Sequence, residues 1–309
     1  MNKNSMGTGP MANLHQEFCK FHNRIALTAS QKSTLRVLRD ALRERIRRYF
    51  HKTLRVECPK FRSQGSFAMN TAVNPIDGEH SIEDGVYLRH LDKMDDDNWP
   101  TATAVHQWLV NAAQGHATEN LMDNRACVRV RYSGQYCIDL YAYGELNGQH
   151  LLVAETGKKW TRGDPPAITR WFESYVHQRG GQLQRIVRYL KAWADHQSLQ
   201  HCEMTDGLLP IVLSVYHFRA HKRDDIALAK TVEAISDTIR TEFFVLNPVD
   251  ISEELTARFT TAQKETIKDA IEVFADCANG ALAVQGEYKA SRLWRKQLGD
   301  RFPFRYREE

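Results

Sequence analysis

The period of the apolar pattern changes once along this chain of 309 residues, and that change constrains the fold more than any single motif. Up to about residue 160, short stretches alternate apolar and polar residues, the period of a strand with one buried face. They predict strands at Ile82–Leu88, Ala126–Tyr132, Tyr136–Tyr143 and His150–Ala154, with turns at Ser133-Gly134 and Asn147-Gly148. Two helices interrupt them. One covers Ser30–Phe50, where Leu35, Leu38, Leu42, Ile46 and Phe50 mark a buried face, and Thr28 with Gln31 can close a capping box at its start. The other covers Thr101–Ala113. From Gly163-Asp164-Pro165-Pro166 onward only the helical spacing remains, with helices expected at Gly181–His196, Leu208–Arg219, Ile226–Phe243, Ser252–Asn279 and Ala290–Leu298. The chain therefore reads as an α+β protein. A flexible leader (1–12) precedes an α/β core lobe with a mixed sheet (13–160) and an α-helical lobe (161–309), and a ligand cleft is expected between the lobes.

Composition narrows the function. A 42% hydrophobic and 26% charged chain is an ordinary globular protein, and a net charge of +4 with a pI near 8.7 does not demand a nucleic-acid partner. Arg36, Arg39, Arg43, Arg45, Arg47 and Arg48 on the first helix read as a solvated face, with a phosphate- or RNA-binding face as the alternative. No apolar run approaches the roughly 18 residues that span a bilayer, so no membrane partner is expected. The six cysteines are scattered without a CxxC pair, which argues for reduced thiols in a cytoplasm and against structural zinc.

The chemistry concentrates in two places. A small-residue turn, Gln64-Gly65-Ser66, precedes Ser81-Ile82-Glu83-Asp84 at the head of a predicted strand. Turns of this kind hold anions through backbone amides, and strand carboxylates hold the divalent cations of phosphoryl chemistry. On a strand Ser81 and Glu83 share a face, while Asp84 points the other way. Asp139 stands among apolar residues in Cys137-Ile138-Asp139-Leu140-Tyr141, where a carboxylate is costly unless paired or metal-bound. From the residues alone two readings stand: Glu83, Asp84 and Asp139 as metal ligands, or as strand acids paired with arginines such as Arg129 and Arg131.

Several stretches in the same order resemble one family. They are Gln64-Gly65-Ser66 with its acidic strand; Lys159-Trp160-Thr161-Arg162-Gly163-Asp164-Pro165 followed by Trp171-Phe172; and Arg185-Ile186-Val187-Arg188-Tyr189-Leu190-Lys191-Ala192-Trp193. The opening, Leu14-His15-Gln16 to Ile25-Ala26-Leu27-Thr28, and the end, Trp294 to Gly299-Asp300-Arg301-Phe302-Pro303, join them. Together they resemble the cGAS/DncV-like nucleotidyltransferases of bacteria (CD-NTases), in particular the dinucleotide-cyclase branch. The resemblance implies a polymerase-β-like core joined to a helical lobe. It also implies an enzyme that makes cyclic or linear oligonucleotide signals from nucleoside triphosphates with Mg²⁺ or Mn²⁺, in antiphage defence, with an effector or regulatory protein encoded nearby. Carried over by position, Gly65 and Ser66 hold the donor triphosphate, Gln64 shapes the turn, and Lys191 reaches the phosphates. Glu83 and Asp139 bind metal, and Asp139 helps to deprotonate the attacking hydroxyl.

Three positions depart from that pattern. Ser81 stands where the first metal-binding acid is expected, Asp206 where relatives have a serine near the phosphates, and Met69 where an aromatic stacks on a base. Three functions therefore compete: a diverged synthase, with Glu79, His80 or Asp84 supplying the missing ligand; a nucleotide-binding pseudoenzyme; and an RNA-binding or RNA-end-modifying relative. The terminal Glu309 does not resemble the small residue through which some family members are conjugated, so no conjugation is expected.

Overall fold

The computed structural model of the protein describes residues 11–76, 78–116, 121–124, 127–133, 135–147, 149–152, 160–201 and 207–305. Its elements in chain order are α1 (His15–Ile25), α2 (Ala29–Tyr49), β1 (Lys60–Gln64), α3 (Gly65–Ala68), β2 (His80–Tyr87), α4 (Ala102–Ala113), β3 (Met122–Asn124), β4 (Cys127–Tyr132), β5 (Tyr136–Leu146) and β6 (Gln149–Leu152). They continue with β7 (Thr161–Arg162), α5 (Pro165–Arg179), α6 (Gly181–His201), α7 (Leu209–His217), α8 (Asp224–Thr241), β8 (Leu246–Asn247), β9 (Asp250–Glu254), α9 (Thr261–Ala283) and α10 (Glu287–Leu298). The fold is α+β, as the change of period implies. The chain divides into a strand unit, Leu27–Glu173, and a helical unit formed by the described residues up to Ala26 with Ser174–Glu309.

In the strand unit one mixed sheet runs β1-β2-β5-β4-β3, with β6 on β5 and β7 on β6. β2 and β5 pair in parallel, and the other pairs are antiparallel. Period-2 alternation sends Ile82, Val86, Val128, Val130, Ile138, Leu140 and Ala142 to one face, all buried. Leu35, Leu42 and Ile46 of α2, Phe50 just beyond its end, and Val105, Leu109 and Ala112 of α4 cover that face. The capping box is present: the Gln31 amide donates to Thr28 Oγ1 at 3.2 Å and the Thr28 amide to Gln31 Oε1 at 2.8 Å. Burying leucines such as Leu42 contributes about 1.5–3 kcal/mol each.

The helical unit differs from the sequence expectation at its start. Residues 13–26 do not join the strand unit, because α1 packs on α6 and α8. Phe18 lies edge-on to Tyr189, Trp294 and Phe302, with centroids 5.1, 4.9 and 5.0 Å away. The Tyr189 hydroxyl lies 3.0 Å from the Phe18 carbonyl oxygen and 2.9 Å from Asp224. Burial pushes the Asp224 carboxyl up, but hydrogen bonds from Arg185 and Gln182 outweigh it and leave its pKa below the usual value. The expected leader is partly tied down as well, since Met11 bridges to Gln285 and Ala12 is buried. A second difference concerns the helix expected at Ser252–Asn279. The segment 246–254 forms the β8–β9 hairpin, and α9 begins at Thr261, where Thr260 and Gln263 close a second capping box.

Candidate nucleotide site

The parallel β2–β5 pair places Glu83 opposite Asp139 and Ser81 opposite Cys137. On the far side of β5, antiparallel β4 sets Arg129 opposite Asp139 and Arg131 opposite Cys137. These side chains share the face turned away from α2, so six chemically active groups meet on three adjacent strands. β1 joins the same array, with Gln64 opposite Glu83.

The turn that follows β1 is built around Glu83. Gly65 has φ +63°, a conformation that favours glycine, and a Cβ there would lie 2.4 Å from the Glu83 carboxyl. Both facts require glycine at this position, and the second puts the small-residue turn directly against the acid. The turn is the short helix α3, held by the Thr71 amide donating to the Ser66 carbonyl at 2.8 Å. Gln64 is buried beneath it and donates through Nε2 to the Tyr143 hydroxyl at 3.1 Å, while Tyr143 stacks on Tyr87 with centroids 5.0 Å apart. Gln64 thus shapes the turn from below. Tyr143 is a support that the sequence reading missed, although it lies four residues beyond Asp139 on the same strand face.

Asp139 is buried, and Arg129 holds both of its oxygens: Nε donates to Oδ1 at 2.6 Å and Nη2 to Oδ2 at 2.8 Å. The hydrogen bond to Asp139 holds the Arg129 pKa above its ordinary value. Glu79 pairs with Arg131 at 2.6 Å and lies 3.5 Å from Arg129. Gly78, Glu79, Ser81, Arg129, Arg131 and Cys137 are among the residues that line an open depression of about 510 Å³. Burial, then the negative charge of Asp139, pushes the Cys137 thiol up to about 12, so it is not a nucleophile at neutral pH.

Other expected site residues lie elsewhere. Asp84 is on the opposite face, fully buried, where Arg43 of α2 donates to it through Nε at 2.7 Å and through Nη2. It is a core ion pair and does not meet Glu83 or Asp139. His80 shares that face and lies 3.1 Å from Gln31 of α2, so of Glu79, His80 and Asp84 only Glu79 stays beside Ser81. Met69 is 4% exposed, which leaves no open surface for a base to lie on. Lys191 is on α6 of the helical unit, half-buried, and Asp206 lies outside the described residues. The arginines of α2 are largely engaged within their own unit: Arg39 donates to Ser63 at 2.7 Å, Arg45 to the Gln114 carbonyl at 2.5 Å, and Arg47 lies over Phe61.

The divalent ions implied by the resemblance can be tested against these donors. Glu83 and Asp139 are correctly disposed side by side, but the first position offers only the Ser81 hydroxyl, and a guanidinium takes both oxygens of Asp139. Among the described residues no group of three or more His, Cys, Asp or Glu side chains is placed to hold a metal. The arrangement as it stands does not fit a pair of divalent ions.

Residues 59–143, which carry the turn, Ser81, Glu83, Arg129 and Asp139, match the family model of the DncV-like cyclic GMP-AMP synthase nucleotidyltransferase domain. Over this part the chain is similar to the DncV-like nucleotidyltransferases. It is 25% identical over 201 residues to a cyclic GMP-AMP synthase of Escherichia albertii, covering 62% of this chain and 45% of that protein. It is 24% identical over 254 residues to a cyclic AMP-AMP-AMP synthase of Acinetobacter, covering 77% and 71%. The chain thus spans about half the length of the first of these relatives. In fold it is similar to Vibrio cholerae DncV, a cyclic AMP-GMP synthase solved with a linear pppA(3′,5′)pG intermediate. That match has a TM-score of 0.77 at 17% identity, over 95% of this chain and 97% of that one. The 3′-deoxy GTP-bound form of the same protein matches with a TM-score of 0.78 at 19% identity, over 94% and 96%.

Proposed function

We propose that this protein binds nucleoside triphosphates on the open face of its sheet and joins them into an oligonucleotide signal, cyclic or linear. The observation that carries the reading is the in-register pair Glu83 and Asp139, with the Gly65 turn pressed against Glu83. An acid pair beside an anion-holding turn is what nucleotidyl transfer needs: one element places the triphosphate and the other the attacking hydroxyl. In this reading Gly65 and Ser66 hold donor phosphates. Asp139 orients the hydroxyl and accepts its proton. Divalent-ion chemistry, with Mg²⁺ or Mn²⁺, belongs to the same reading, subject to the departures at Ser81 and Asp139.

The same reading includes a role in antiphage defence, acting through an effector or regulatory protein encoded nearby, and the likeness to cyclic oligonucleotide synthases supports the signalling part of it. A cytoplasmic setting is supported by five free thiols among the described residues, Cys19, Cys58, Cys127, Cys137 and Cys277. No described helix is long and apolar enough to cross a membrane.

A second reading, a nucleotide-binding pseudoenzyme, is favoured by one specific observation: a serine replaces the first acid while an arginine occupies the last. One experiment separates the two. Incubation with mixed labelled ribo- and deoxyribonucleoside triphosphates and Mg²⁺ or Mn²⁺ gives a resolvable oligonucleotide under the first reading. Under the second it gives thermal stabilisation without product. Neither product nor stabilisation refutes both.

A further inference from the structure

The donors around Asp139 carry an inference about how this site differs from one built to hold two cations. Arg129 makes a fork-to-fork pair with Asp139, two parallel hydrogen bonds at 2.6 and 2.8 Å. A carboxylate so occupied has both of its oxygens directed at a resident positive charge. The neighbouring strand adds to this, since Ser81 offers a neutral hydroxyl opposite Cys137, where the resemblance implies an acid.

We propose that the Arg129 guanidinium takes the place of a divalent cation on Asp139, so that metal and Arg129 compete for this carboxylate. Arg129 has somewhere to go when it loses that competition. Its Nη1 already lies 3.5 Å from Glu79, and the side chain borders the open depression beside Ser81. Displacement exchanges one carboxylate partner for another and leaves no buried charge unpaired. A swing from Asp139 to Glu79 also aims the freed N–H groups of Arg129 into the depression, where they can meet an anion that arrives with its own metal. The competition concerns the free protein and does not depend on which nucleotide the site accepts or whether it turns over. It deepens the nucleotidyltransferase reading, and its test is independent of it.

The test is a titration of the nucleotide-free full-length protein with MnCl₂, following free Mn²⁺ by electron paramagnetic resonance. Arg129→Gln removes the competing charge and should tighten Mn²⁺ binding by about tenfold. Arg129→Lys keeps a charge but cannot grip both oxygens, and should tighten it by a smaller factor. Asp139→Asn should bind Mn²⁺ more weakly than wild type, and the double variant Arg129→Gln/Asp139→Asn should show no tightening. A gain in affinity cannot arise from misfolding, so a merely structural role for Arg129 would not produce it. If neither Arg129 substitution tightens Mn²⁺ binding, or if the double variant tightens it as much as Arg129→Gln, the competition is refuted. Failure of the protein to bind any triphosphate would leave that result standing and would count against the nucleotidyltransferase reading alone.

Discussion

Two aspartates on adjacent strands are each gripped through both oxygens by one arginine, yet they belong to different parts of the molecule's chemistry. Asp84 on β2 faces the core and is held by Arg43 of α2. Asp139 on β5 faces the open side and is held by Arg129 of β4. The first pair is largely enclosed: Asp84 has no exposed surface, and Arg43, 16% exposed, also reaches across to Ser63. Burial pushes the Asp84 carboxyl up and Arg43 pulls against it. In the second pair Arg129 lines a depression together with Ser81 and Glu79, and Asp139 lies opposite Glu83. The same ion pair therefore has two uses. Enclosed, it fixes how α2 sits on the sheet. At an open face beside other acids, it is a charge that can be exchanged.

The largest effect that sharpens this contrast is on turnover. Asp139→Asn should lower product formation by at least about a thousandfold, the scale of losing a group that acts only in the transition state. Its melting temperature should stay close to wild type. An assay of labelled product beside a thermal melt checks both. A large loss of stability in Asp139→Asn would mean that this pair, too, is structural.

Next is the core pair. Arg43→Ala leaves the Asp84 carboxylate buried without its partner and should cost about 3 kcal/mol in urea denaturation. Arg129→Gln should cost about 1 kcal/mol, because its side chain is 30% exposed and water can reach the gap. Equal losses would erase the distinction between the two faces.

The mixed sheet and the α+β class were legible in the sequence because they rest on local patterns. Alternation located β2, β4 and β5. What escaped depended on packing partners. Leu14, Phe18, Phe21 and Ile25 have the spacing of a helix face, but α1 was missed beside an opening that reads as a leader, and its place with the second unit is set by Tyr189 and Trp294 far along the chain. The β8–β9 hairpin was hidden in a helical stretch, and the Thr260–Gln263 box was the overlooked start signal. At the site, Asp84 was correctly read as facing away from Ser81 and Glu83, but not as the partner of Arg43, 41 residues earlier. Arg129 was named only as one of two arginines able to pair with a strand acid. Sequence could not show that it would take Asp139 on both oxygens, since that depends on the β4–β5 register.

A smaller effect tests the turn. Gly65→Ala must adopt φ +63° and pushes its Cβ into the Glu83 carboxyl, so it should cost about 1–2 kcal/mol from backbone strain. Triphosphate affinity, measured by calorimetry, should fall beyond what that stability loss explains. Affinity that is unchanged would separate the turn from the acid pair.

The smallest effect is a pH dependence spread over both units. Burial lowers the pKa values of His80, His90 and His116 in the strand unit and of His22, His196 and His217 in the helical unit. The unfolded chain then takes protons first as pH falls through about 6.5, so stability is full above that pH and declines below it. Melting temperatures between pH 7.5 and 5.5 should fall steadily.

The most direct measurement of the central claim is hydrogen exchange of the full-length protein with and without a non-hydrolysable ATP analogue and Mg²⁺. The account predicts slowed exchange at the amides of Gly65 to Asn70, the turn against Glu83, and no change along the core-facing side of α2. Slowed exchange confined to α2, or none in the turn at saturating analogue, would contradict a nucleotide site on the open face of β2 and β5.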